Sequence, residues 1–132
     1  MYYDRGVCMK DLLIKQLSKT FAVFDDVEFA YLFGSYATKT TSNHSDIDIA
    51  TYVKDGFDSF DVGLKVHHAL EISLGKDVDV VILNDVKNMR LLKDIIERGI
   101  LLKDSENRPM FEVQKQHEII DFFDFKRILD VA

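Results

Sequence analysis

A chain of 132 residues is sized for one domain, the usual span being ~100–200 residues. With 47% hydrophobic and 30% charged residues it has the balance of a globular protein, which excludes a disordered chain. A net charge of −6 leaves no basic footprint: it argues against a protein that coats DNA or RNA, and no direct nucleic-acid binding is expected, whereas a nucleotide held through metal and local groups is compatible with it.

Taken in chain order, residues 9–22 (MKDLLIKQLSKTFA) set Leu12, Leu13, Leu17 and Phe21 at helical spacing. Residues 27–33 (VEFAYLF) are β-branched and aromatic and predict a strand that Gly34-Ser35 ends. Residues 46–53 (DIDIATYV) predict a second strand. From about Ser59 to Leu74 the pattern is that of an amphipathic helix. Phe60, Leu64, His67 and Glu71 mark one line along it, and Val62, Val66, Ala69 and Ser73 the neighbouring line. Gly75 is its expected stop. A third strand is predicted over 77–83 (DVDVVIL), after which Asn84 or Asp85 is expected to cap a helix over 86–98 that Gly99 ends. The segment ILLKD adds a short strand, and residues 107–129 read as a last helix with Phe111, Ile119, Ile120, Phe123 and Ile128 available to pack. Strands alternating with helices predict an α/β fold with helices laid on the sheet. Pro109 is the single proline, and neither a repeat nor a low-complexity linker marks a boundary. One domain over 1–132 is therefore expected, with a core of about 9–104 and a C-terminal helix of about 107–129.

The lone cysteine, Cys8, allows no internal disulfide, and no cluster of cysteines and histidines suggests zinc. No apolar stretch approaches the ~20 residues of a membrane span, and MYYDRGVCMK lacks the apolar middle of a signal peptide. A cytoplasmic protein without membrane contact is the expectation.

Two places carry chemistry. A strand that ends in Gly34-Ser35 and turns into a helix presents backbone N–H groups and a hydroxyl to a phosphate, with glycine allowing close approach; an ordinary turn with a cap is the plain alternative. Asp46 and Asp48 stand one residue apart in a strand, so they share a face, roughly 6.5–7 Å apart along the chain, while Ile47 and Ile49 bury the other. Two like charges so placed are either hydrated at a sheet edge or neutralised, and magnesium, which takes oxygen ligands, is a natural neutraliser. Asp77 and Asp79 share a face of the following strand, and one of them placed beside Asp46 and Asp48 would complete a carboxylate triad. Such a triad meets the requirement of two-metal phosphoryl or nucleotidyl transfer.

GSYATKTTSNHSDIDIA resembles the Gly-Ser-x10-Asp-x-Asp signature of the polymerase-β-like nucleotidyltransferase superfamily, ten residues from Tyr36 to Ser45 separating the two halves. Together with VDVVIL, ERGILLKD and FEVQKQHEIIDFFDFK, it is most similar to the minimal nucleotidyltransferases (MNT), over roughly residues 12–129. The resemblance implies a minimal fold in which a small mixed α/β sheet is flanked by helices and followed by a C-terminal helix. It implies catalytic and metal-binding roles for Asp46, Asp48 and Asp79, nucleotide contacts from Gly34, Ser35 and Ser45, two Mg²⁺ ions, and ATP as substrate. It further implies an antitoxin of a type VII-like pair that transfers AMP to a tyrosine of a HEPN-domain ribonuclease toxin and forms a hetero-oligomer with it. A non-catalytic antitoxin acting by occupancy alone, and a small-molecule (antibiotic) adenylyltransferase, are the alternatives; the lack of an acceptor domain weighs against the latter. One departure is Lys39, where many relatives carry a glycine in the loop.

The remaining candidates have plain readings. His67-His68 lies mid-helix without the three- or four-residue spacing of a metal pair, His44 reads as a loop residue beside the acidic strand that could touch substrate, and His117 is expected at a surface or an interface. Arg90, Lys93 and Arg98 read as a solvated helix face from which one cation could reach a triphosphate. Phe122, Phe123 and Phe125 suit either a core or a partner-binding patch.

Overall fold

The computed structural model describes residues 9–34 and 47–131. Helix α1 (Met9–Ala22) is followed by strands β1 (Val27–Phe33) and β2 (Ile47–Val53), helix α2 (Ser59–Leu74), strand β3 (Val78–Ile82) and a single 3₁₀ turn (Leu83–Asp85). Helix α3 (Met89–Arg98), strand β4 (Ile100–Lys103) and the long helix α4 (Arg108–Val131) complete the order. The four strands form one mixed sheet in the order β3-β2-β1-β4. β1 runs antiparallel to both β2 and β4, and β2 runs parallel to β3. The parallel pair needs a crossover, which α2 supplies.

Alternation along the strands divides the core in two. Leu32 of β1, Ile47 and Ile49 of β2 and Val78 of β3 pack under Leu17 and Phe21 of α1 and Val62, Val66 and Leu70 of α2. The opposite face, through Phe29, Tyr31, Phe33 and Ala50, packs against Leu92 and Ile95 of α3 and Phe111 and Ile119 of α4. β1 is central and covered on both faces, which is why its sequence reads as a nearly continuous apolar run. In α2 the line of Val62 and Val66 faces the sheet, while Phe60 (71% exposed) and Leu64 (54% exposed) look outward. Asp58 caps its N-terminus by accepting from the Phe60 and Asp61 N–H groups, and Gly75 closes its C-terminus in the left-handed conformation at φ 66°.

The start of α3 differs from the sequence expectation. Asn84 and Asp85 cap nothing; the helix begins at Met89, and Asn88 is its cap, accepting from the Arg90 and Leu91 N–H groups. Asn84 is engaged elsewhere: its Nδ2 donates to the Val53 carbonyl at 2.9 Å, and its Oδ1 accepts from the Val53 N–H at 2.8 Å. It thereby serves the end of β2 as a neighbouring strand residue would, and the 3₁₀ turn absorbs the offset. Gly99 ends α3 as expected, its N–H donating to the Ile95 carbonyl at 2.8 Å.

α4 is anchored by its first turns. Phe111 lies 5.2 Å, centroid to centroid, from both Phe29 and Tyr52, which are themselves stacked at 4.9 Å. The Tyr31 hydroxyl, in a side chain only 2% exposed, donates to Glu112 Oε2 at 2.5 Å. Arg108 holds Glu112 at 3.2 Å and Asp104 at 2.6 Å, so the carboxylate that accepts the tyrosine hydrogen bond is itself charge-paired.

Replacing Asn84 with alanine leaves both Val53 backbone groups without their partner and should cost about 1–3 kcal/mol, against about 1 kcal/mol for removing the cap with Asn88→Ala. Urea unfolding of the two variants will rank them; equal losses would show that Asn84 is no more than a turn residue. Burial first, and the Glu112 carboxylate second, hold the Tyr31 hydroxyl well above its ordinary 10.0. A raised folded-state value means that its contribution is complete below pH 10 and is lost as pH rises beyond it. Tyr31→Phe should therefore lower stability by about 1.5–3 kcal/mol at neutral pH. The gap to the parent should narrow in unfolding curves taken above pH ~10.

Candidate active site

Three strands meet at one end of the sheet with their registers locked. Phe33, the last residue of β1, is the cross-strand partner of Asp48 in β2. On the other side, Asp48 is the register partner of Asp79 in parallel β3. Asp48 shares its sheet face with Ala50, and Asp79 with Val81, both of which belong to the apolar layer under α3 and α4. Going toward the start of each strand, the two carboxylates thus take the next places after that layer stops. Neighbouring strands lie about 4.8 Å apart, so the two side chains rise side by side. Asp48 is half-buried and Asp79 exposed, while Ile47 and Ile49, on the other face, are fully buried and hold the strand in place.

Gly34 follows Phe33 at φ 76°, a left-handed conformation natural to glycine. A Cβ at this position would overlap Asp48 Oδ2 and stand 3.2 Å from its Cγ, so the main chain at the end of β1 runs directly beneath the Asp48 carboxylate. Asp77 sits one residue ahead of β3 and is exposed; its carbonyl accepts from the Ile47 N–H at 3.3 Å, extending the β2–β3 ladder. Its side chain lacks the register partnership that Asp79 has with Asp48. Ser35, Ser45 and Asp46, together with Lys39 and His44, lie outside the described residues.

The donor set fits a hard divalent cation. Both described acids supply carboxylate oxygens, adjacent and open to solvent on one side, and magnesium takes a few carboxylates with waters and phosphate oxygens completing its octahedron. Among the described residues no three histidine, cysteine or acidic side chains converge on one point. Two like charges at this spacing repel, and a cation between them lifts that cost.

The other candidates are engaged elsewhere. Lys93 pairs with Glu97 at 3.0 Å, Arg98 approaches Asp94 at 3.9 Å, and Arg90 lies over the Phe123 ring at 5.6 Å. His67 contacts Glu71 at 3.1 Å on the surface of α2, and His68 and His117 are exposed. Phe123 packs against the core under α3 and α4, whereas Phe122 and Phe125 are 41% and 63% exposed. The nearness of Gly34 to Asp48 escapes a reading of the sequence, since the two are fourteen positions apart and only the pairing of β1 with β2 brings them together.

Comparisons with known proteins bear on the family and the fold. The family model for the polymerase beta nucleotidyltransferases matches residues 15–108. A Methanocaldococcus jannaschii protein named as a candidate protein adenylyltransferase is 40% identical over 70 residues, covering 53% of this chain and 72% of that protein. Among solved structures, a toxin–antitoxin complex with AMP-PNP contains a chain of similar fold, with TM-score 0.67, 24% identity, and coverage of 94% of this chain and 96% of that one. A complex of tri-AMPylated Shewanella oneidensis HEPN toxin with MNT antitoxin gives TM-score 0.66 at 22% identity, over 93% of this chain and 96% of that one. Among the described residues no helix is long and apolar enough to cross a membrane. With a family match spanning both β-strand acids, Gly34 and the whole sheet, the chain belongs to the polymerase-β nucleotidyltransferase family, and it is a nucleotidyltransferase.

Proposed function

We propose that this enzyme transfers AMP from ATP to a hydroxyl of a partner protein, a tyrosine of a HEPN-type ribonuclease toxin, and so acts as the antitoxin of the pair. The observation that carries the reading is the in-register pair Asp48–Asp79 at the end of the sheet, beside the Gly34 turn. The relative named for protein adenylylation supports the acceptor class, and the similarly folded antitoxin chains, solved with AMP-PNP and with an AMPylated HEPN toxin, support the nucleotide and the partner.

Asp48 and Asp79, with Asp46 from the segment between β1 and β2, are the residues that would hold Mg²⁺, two ions being the expected number. Bound there, the ions supply charge neutralisation on the phosphates and on the leaving pyrophosphate. Gly34, Ser35 and Ser45 offer backbone and hydroxyl donors to the triphosphate. Asp79 would accept the proton of the incoming hydroxyl, a role that its exposure and its register beside Asp48 support. The acceptor oxygen bonds to the α-phosphorus, the bond from that phosphorus to the bridging oxygen breaks, and pyrophosphate leaves with the electron pair. Most of the acceleration comes from holding these groups in line and balancing charge rather than from covalent chemistry.

Asp48→Asn and Asp79→Asn should each lower AMP transfer to a co-expressed partner at least ~100-fold, as loss of one charge-stabilising group typically does. Asp77→Asn should retain most activity. Intact mass of the partner reads the outcome: each transfer adds one AMP. Full transfer by both asparagine variants would overturn this site. Neutralisation of the partner without any added mass, by parent and variants alike, would favour an antitoxin that works by occupancy alone, and AMP transfer to a small acceptor instead would favour a small-molecule adenylyltransferase.

A further inference from the structure

Three glycines among the described residues have positive φ: Gly34, Gly56 and Gly75. At Gly56 and Gly75 a Cβ would meet nothing within 4 Å, so their conformation alone explains the residue. Gly34 is different. An added Cβ would collide with Asp48 Oδ2, and would lie 3.2 Å from Asp48 Cγ and 3.4 Å from Asp48 Cβ. The whole Asp48 side chain therefore lies across the bare Cα of Gly34.

Asp48 has little freedom to yield by moving its strand. It is paired on one side with Phe33 and on the other with Asp79, and its neighbours Ile47 and Ile49 are 0% exposed on the opposite face. A side chain at position 34 would leave the β2 backbone in place and turn the carboxylate away from where it now stands.

We propose that Gly34 is a positioning residue for Asp48: the missing side chain at the end of β1 sets the orientation of the Asp48 carboxylate for metal binding, independently of any contact between Gly34 and a phosphate. The proposal rests on the metal-binding reading of Asp48 and adds to it a cause that acts before nucleotide arrives. Outer groups that orient a ligand typically change metal affinity 10–100-fold when altered.

The test uses the full chain, with Mn²⁺ alone as the probe and no nucleotide, followed by electron paramagnetic resonance. Gly34→Ala and Gly34→Asn both carry a Cβ, but asparagine tolerates the left-handed backbone better. Both variants should bind Mn²⁺ on the order of 10-fold or more weakly than the parent. In metal-free thermal unfolding, the drop in Tm caused by Gly34→Ala should shrink when Asp48 is also changed to alanine, because the colliding group is gone. If Gly34→Ala does not fold by itself, recovery of a cooperative transition in Gly34→Ala/Asp48→Ala supports the contact, and no recovery overturns it. Parent-like Mn²⁺ binding by both Gly34 variants, with binding lost in Asp48→Asn, overturns the proposal while sparing the metal reading. Parent-like binding by Asp48→Asn overturns the metal reading and this proposal with it.

Discussion

The register of β2 between its two neighbours is the constraint on which the acidic site depends. One row of pairing places Phe33, Asp48 and Asp79 side by side, and that row comes from two ladders of opposite sense, antiparallel to β1 and parallel to β3. A slip of one residue would send Asp48 under α1 and α2 and bring Ile47 and Ile49 to the other face. The burial of those isoleucines therefore does more than stabilise the sheet, because it removes the registers in which the carboxylates would point the wrong way. The apolar layer and the acidic site are two ends of one alternation.

Much of this was legible along the chain. The period of the apolar residues marked α1 and α2 to their last residues, and the β-branched and aromatic runs marked β1 and β2, because both signals are local. The face of Asp48 was legible for the same reason, since a carboxylate between two isoleucines in an apolar strand states its own side. Whether Asp77 or Asp79 stands beside Asp48 was open in the sequence, since either choice keeps the alternation and only the β2–β3 register separates them. The role of Asn84 was opaque on like grounds. A polar residue just after a strand can cap the next helix or reach sideways, and here two open backbone groups of Val53, far off in sequence, take both ends of its amide.

The second half of the chain is fastened to the sheet differently. α4 is tied by a stack of rings, Phe29, Tyr52 and Phe111, and by the Tyr31–Glu112–Arg108–Asp104 chain, all within its first turns. Beyond Phe123 its apolar residues Phe125, Ile128 and Leu129 are exposed, so the far end of the helix draws little from the core. Its first turns close the face of the sheet that ends in Asp48 and Asp79, and they do so with groups that take no part in the acidic site.

The position of Asp79 in the sheet has a further consequence. β3 is an outer strand among the described residues, so its free side offers N–H and C=O groups on which another strand could grow. Val80, Val81 and Ile82 would make that side adhesive, and the exposed carboxylate at its head keeps charge and water there. The carboxylate in register with Asp48 is thus also the charge carried by the strand whose outer side is open to pairing.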